Sequence, residues 1–285
     1  MKNINISFFL LSFLIFLGSC TETNTVINPG DKPVVEAYLA PNHPVSLKLY
    51  SEIPYSDTSE GVSQPIDGVS IKIIGSNGKT FTLSSQGSGL YTSANNELIG
   101  PAGTTYSLEF DFKGRKVRAT TEIPSKPINF KSDKTEISRT QIDLSNFTPG
   151  SGGGIRPGGG FNQENTSVNL TWSNPNNYYH FVAVENVEEN RVQIIIPPSG
   201  SSFPSFRFFN EPLIGSSNVV RSQSFQFFGK HDIILYRVNG EYAALYQATG
   251  TTSQNLSTPP TSIINGLGIF TGINADTVKF VVNKN

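Results

Sequence analysis

The sequence has one cysteine, one methionine and one tryptophan in 285 residues, and only 15% of it is charged. Each shortage excludes something. A single cysteine rules out an internal disulfide and a cysteine-based zinc site within the chain. Globular chains average roughly 25% charged residues, so solubility here must come from Ser, Thr, Asn and Gly, a composition that argues against a helical bundle or coiled coil. Lys+Arg 21 against Asp+Glu 22 leaves a formal charge of −1, without the broad basic field that nucleic-acid binding requires. After residue 20 no apolar run approaches the 18 residues needed to span a bilayer as a helix. The length fits one or two domains.

The one cysteine stands in an informative place. Lys2 precedes an apolar run from Ile6 to Leu17, interrupted only by Ser7 and Ser12. As a helix it rises about 18 Å, short of the ~30 Å hydrocarbon core, which is the proportion of a signal h-region. Leu17-Gly18-Ser19-Cys20 then resembles the bacterial lipobox. The resemblance implies diacylglycerol on the Cys20 sulfur, an acyl chain such as palmitate on its amine, and removal of residues 1–19. Two or more acyl chains, at ~0.8 kcal/mol per buried methylene, hold a protein on a membrane essentially permanently. Residues 20–31 are polar, with Pro29 and Gly30, and read as a lipidated flexible tether. Thr21 after the cysteine does not read as an inner-membrane retention signal.

From Pro33 the apolar period is two. Val35, Ala37 and Leu39 share one strand face and Val34, Glu36 and Tyr38 the other; Ala40-Pro41-Asn42 turns the chain into Val45–Tyr50. Val69–Ile73, the Ser76-Asn77-Gly78-Lys79 turn, Phe81–Leu83, Leu90-Tyr91, Tyr106–Phe110, the Lys113-Gly114 turn and Lys116–Thr120 continue the pattern. Seven or so short strands in residues 32–125 predict an antiparallel β-sandwich. Pro124 and Pro127 mark a boundary. Residues 126–285 predict a second, mainly β domain with strands at 167–172, 178–184, 191–196, 224–228, 232–238 and 277–282. One short helix is expected at Glu241–Ala248, where Tyr242, Leu245 and Tyr246 fall at helical spacing. Seven glycines in 150–160 lack both the Gly-Lys-Ser/Thr ending and the G-x-G-x-x-G spacing of phosphate loops, so 148–160 reads as a Gly-rich insertion.

Candidates for chemistry are few. His43, His180 and His231 are separate and outside any H-E-x-x-H pattern, and they read as turn or surface residues. His231 and Asp232 are neighbours on a strand and point to opposite faces. Glu185, Glu188 and Glu189 would suit glycosidase chemistry only if two faced each other; the run 185–191 reads instead as a solvated hairpin tip. No D-x-D-x-D-G calcium loop and no G-x-S-x-G elbow occur. These patterns indicate no catalytic centre, metal or cofactor, although a hydrolase assembled from distant residues is an alternative. The other notable stretch is 197–209, where Phe203, Phe206, Arg207, Phe208 and Phe209 stand in a Pro/Ser/Gly-rich segment. Aromatics and arginine anchor interfaces, so these five are candidate partner or ligand contacts. The alternative is that their rings plug the core between the domains.

Taken in order, several motifs resemble a family of Bacteroidota outer-membrane lipoproteins classed as a domain of unknown function. They are the lipobox, Val34–Leu39, Pro44–Leu47, Pro65–Ile71, Gly89-Leu90-Tyr91, Gly103–Leu108, Ala119–Pro124, Tyr242–Tyr246, Pro259-Pro260 and Asn265–Phe270. The resemblance implies an accessory lipoprotein beside TonB-dependent receptors and a transthyretin- or carboxypeptidase-regulatory-like first sandwich, and it transfers no catalytic residue. The expectation is therefore an all-β, non-enzymatic lipoprotein of the outer membrane. It would capture substrate for, or assist, a TonB-dependent β-barrel. The alternative is an independent surface carbohydrate- or peptide-binding protein.

Overall fold

The computed structural model describes residues 32–53, 63–93, 98–146, 166–202, 208–247 and 260–285; the signal segment, the tether with Cys20 and the Gly-rich insertion lie outside them. Among the described residues the fold is mainly β, with one short α-helix and several sheets, in keeping with the period-two patterning.

The first module follows the sequence closely. β1 (Pro33–Leu39) and β2 (Ser46–Ser51) pair antiparallel around Pro41-Asn42, with Asn42 in the left-handed region at φ 60°. β3 (Ile71–Gly75) and β4 (Thr80–Gly87) flank the 76–79 turn, β5 (Leu90–Ser93) pairs with β4, and β6 (Thr105–Phe112) turns at Lys113-Gly114 into β7 (Arg115–Glu122). One face of every strand is apolar and turned inward. Val35, Leu47, Leu49, Ile71, Ile73, Phe81, Tyr91 and Tyr106 are fully buried in one core. Each such Leu or Ile contributes about 1.5–3 kcal/mol relative to exposure.

The second module has two layers. It begins with β8 (Ile128–Ser132), β9 (Glu136–Arg139), β10 (Ile142–Asp143), β11 (Ser167–Ser173), β12 (Tyr179–Asn186) and β13 (Ile195–Ile196). It continues with β14 (Phe208–Phe209), β15 (Leu213–Ile214), β16 (Ser217–Arg221), β17 (Gly229–Val238), the helix α1 (Gly240–Gln247) and β18 (Leu267–Lys284). One layer is β16-β11-β8; the other sets β14 and β15 against β12, then β17 and β18, with β9 beside the end of β18. Leu170 and Trp172 from the first layer meet Val182, Ile233, Leu235 and Phe280 from the second.

β18 joins the modules. Leu267–Gly272 pairs parallel with β1, and Ile273–Val282 pairs antiparallel with β17. Phe270 lies in the first core and Phe280 in the second. The first sheet curls until β7 returns to this segment, where the Ile264 N–H donates to the Arg118 carbonyl at 2.8 Å and the Gly272 N–H to Thr121 Oγ1 at 2.8 Å. Close approach requires glycine here. Gly268 has φ +92°, and a Cβ on it would stand 2.1 Å from the Val35 carbonyl oxygen.

Three expected strands differ. Of 191–196 only Ile195-Ile196 is strand, and 224–228 follows a 3₁₀ turn at Ser222–Ser224 with a single bridge at Phe227. The strand expected at 277–282 is the final third of an 18-residue one. Gly268, Gly272, Asn274 and Asp276 hide its earlier part, because the sheets on both sides hold it without side-chain alternation. No helix among the described residues is long and apolar enough to cross a membrane.

Candidate interaction surface

The histidines are placed differently from expectation. His43 is exposed in its turn, but His180 and His231 are 3% and 2% exposed, inside the second core. Both alternate in phase with inward valines and isoleucines, which carries them inward. His180 Nδ1 lies 3.1 Å from the Tyr178 carbonyl and its ring packs at 5.6 Å on Trp172. Burial pulls its pKa down to about 4, with the Arg237 charge adding to the effect. His231 Nδ1 is 2.9 Å from the Gly229 carbonyl, and Asn186 Nδ2 donates to Nε2 at 3.3 Å. That pattern assigns the neutral Nδ1–H tautomer. Burial also lowers the His231 pKa. Asp232 points the other way and holds Lys279 Nζ at 2.9 Å.

Glu188 is engaged structurally, its Oε1 accepting from the Lys230 N–H at 2.8 Å. Among the described residues no three His, Cys, Asp or Glu side chains gather as metal ligands. The buried imidazoles are built into packing, and burial favours the neutral rings although the Tyr178 and Gly229 carbonyls pull the other way.

Of the five aromatic-segment candidates, Phe203, Phe206 and Arg207 lie outside the described residues. Phe208 and Phe209 form β14 against Val184 and Ala183 of β12. Neighbours on a strand face opposite ways, so the segment divides: Phe208 packs against the second core and Phe209 is 52% exposed. Beyond Pro212, Leu213 and Ile214 of β15 pair with His180 and Tyr179 and are also more than half exposed. The chain then crosses at Gly215-Ser216 to the other layer as β16, where Val219 is exposed. Asn174 fixes the crossing, its Nδ2 donating to the carbonyls of Tyr178 (2.9 Å) and Gly215 (3.0 Å).

Three consecutive short strands thus present Phe209, Leu213, Ile214 and Val219 outside the core. Periodicity could not reveal Leu213 and Ile214, because a two-residue strand has no period; the only signal was an apolar pair caught between Pro212 and Gly215. Phe209 and Ile214, opposite Ala183 and Tyr179, share the outer face of one layer, whereas Leu213 faces the other way and Val219 lies on the outer face of the opposite layer, so Phe209 and Ile214 are the pair that can meet one apolar partner surface.

A second feature lies at the joint. Phe181 of β12 stacks on its cross-strand neighbour Tyr236 at 4.7 Å and on Tyr242 of α1 at 5.5 Å. Tyr242 in turn meets Tyr38 of β1 at 6.1 Å and Tyr246 at 5.6 Å. Partial burial, with Glu36 and Tyr246 nearby, pushes the Tyr38 pKa up to about 12, so its phenol stays protonated. Beneath α1, Glu241 Oε1 accepts from Thr121 Oγ1 (2.8 Å) and Thr271 Oγ1 (3.1 Å), tying the helix to both β7 and β18.

The family described as "Domain of unknown function (DUF4249)" matches residues 21–279, a span that includes both modules. A search of the curated proteins finds no match. Among solved structures the chain is similar to one titled "Biofilm associated protein - BSP domain", at 13% identity and a TM-score of 0.22. That likeness covers 87% of this chain and 29% of the other, and at this score it carries no argument.

Proposed function

We propose that this chain, which belongs to the DUF4249 family, is a lipoprotein of Bacteroidota, anchored in the outer membrane through Cys20 and acting without catalysis as an accessory or substrate-capturing subunit of a TonB-dependent transporter. The observation that carries the reading is a pairing. Leu17-Gly18-Ser19-Cys20 provides an attachment, and the exposed Phe209 and Ile214, on one outer face of the second module, provide contact surface that neither core uses. The neutral, buried state of His180 and His231 supports a non-enzymatic role, since a general base must reach its substrate.

Capture of the tagged protein from native outer membranes tests the proposal. The expected result is co-purification of a β-barrel receptor by the wild type, with Cys20→Ser moving to the soluble fraction. Recovery with no barrel partner, or a fully processed Cys20→Ser that stays on the membrane, would overturn it. The Phe181–Tyr236–Tyr242 cluster favours one second reading, an independent carbohydrate-binding lipoprotein, because its tyrosines keep part of each side chain exposed and an aromatic surface can pack on a sugar. Glycan binding retained by the soluble form and abolished by Tyr242→Ala would select that reading.

A further inference from the structure

We infer that the end of the first module bearing Lys32, Ile53 and Ile264 is a membrane-contacting base, seated on phospholipid headgroups while the second module projects away. This rests on the lipid attachment proposed at Cys20. Lys32 stands twelve positions after Cys20, and that length of chain, fully extended, reaches at most roughly 40 Å. The described chain enters at one end of β1, so that end is the one held near the bilayer.

The surface at that end is distinctive. Pro33 opposes Ser51, and the Glu52 N–H donates to the Lys32 carbonyl at 3.3 Å, which places Ile53, 47% exposed, beside the point of entry. On the other side of β1, the chain turns at Asn265-Gly266 before rising as β18. Asn265 has φ 59° and its Nδ2 donates to the Lys116 carbonyl at 2.9 Å, while Gly266 sits against the Pro33 carbonyl. Ile264, directly before this turn, is 62% exposed, more than any other large apolar residue described. Nothing in the fold requires it to be isoleucine, because its bonds to Arg118 are made by the backbone. The β6–β7 turn at the same end carries Lys113, set over the Phe112 ring at 5.6 Å, and Arg115. Apolar tips with flanking cations are the composition of an interfacial contact. Such a contact can be weak alone, since the anchor makes it intramolecular.

β18 sets the opposite direction. It starts at the base and continues for 18 residues through both modules, roughly 60 Å at the usual strand rise. Val187, just beyond the end of β12 that pairs with His231, is therefore far from the base, although it is 48% exposed like Ile53.

The test uses the full-length lipidated protein in vesicles of phosphatidylethanolamine and phosphatidylglycerol containing a brominated lipid. Ile264→Cys and Val187→Cys are each labelled with a fluorescent thiol reagent; a thioether at Cys20 does not react. Both substitutions are at exposed positions, so folding is retained. With the protein co-floating with vesicles, quenching should be at least about threefold stronger at 264 than at 187. Co-flotation with equal or absent quenching at 264 would overturn the base contact and leave the anchor standing. Failure to co-float would overturn the anchor and the base contact together.

Discussion

The two modules bury different chemistry. The buried polar side chains of the first are hydroxyls, among them Ser93, Thr104 and Thr121, whereas the second encloses Arg139, His180 and His231. Groups that cannot ionise near neutrality leave the first core indifferent to pH. The second core depends on two imidazoles remaining neutral and on one guanidinium, Arg139, donating to the Ser222 carbonyl. One strand runs through both, so the difference can be probed in a single molecule. Trp172, the only tryptophan, lies in the second core and gives that module its own fluorescence signal.

The largest effect is expected where β18 crosses β1. Gly268→Ala places a Cβ against the Val35 carbonyl at a positive φ, a combination of overpacking and backbone strain that costs about 3 kcal/mol or more. Hydrogen exchange should show the first module losing protection, while denaturation followed through Trp172 shifts by less than half as much. Equal shifts would show that the modules unfold as one cooperative unit.

Acid should act on the other module. Folded-state pKa values of His180 and His231 lie below the ordinary histidine value, so the unfolded chain binds more protons and stability falls with decreasing pH. The contribution is complete above about pH 6.5 and declines toward pH 4, where His180 titrates in the fold. For His180 the loss is about 2–3 kcal/mol at the acid end. Trp172 emission and exchange in the second core should therefore change between pH 7 and 4.5 before the first core responds. A first module that opens earlier would break the comparison.

How far the sequence discloses this contrast depends on period. The alternation of Val35, Ala37, Leu39 and of Leu47, Leu49 specifies which face is buried, and the first module follows it. His180 in phase with Val182 and Val184, and His231 in phase with Ile233 and Leu235, carry the same signal. Residue type, histidine being common at surfaces, hid what phase disclosed. The family motifs in the first module are architectural: Asp67 Oδ1 accepts from the Gly89 N–H at 3.0 Å and from Ser85 Oγ at 2.8 Å, so Pro65–Ile71 and Gly89–Tyr91 are halves of one clamp. That explains why order and spacing identify the family without indicating a reaction. The exposed apolar residues of β14–β16 were hardly legible, because exposure at a sheet edge is decided by what packs beside it.

The smallest effect compares one buried polar atom in each module. Tyr91 is fully buried, its hydroxyl donating to the Ile66 carbonyl at 2.9 Å and accepting from the Val69 N–H at 3.1 Å. Tyr91→Phe leaves both backbone groups without that partner and should cost about 1–2 kcal/mol. Trp172 is the converse case. Its Nε1 is buried and has no hydrogen-bond partner among the described residues, where two residues of β8, Asn129 and Phe130, face Trp172 alone in a bulge. Replacing Trp172 with the sulfur isostere benzothienylalanine removes the donor while keeping the shape, so the transition midpoint should stay or rise, by up to about 1 kcal/mol. Far-UV circular dichroism during urea unfolding follows both variants. A loss with the isostere as large as that of Tyr91→Phe would mean that the indole N–H is bonded in solution.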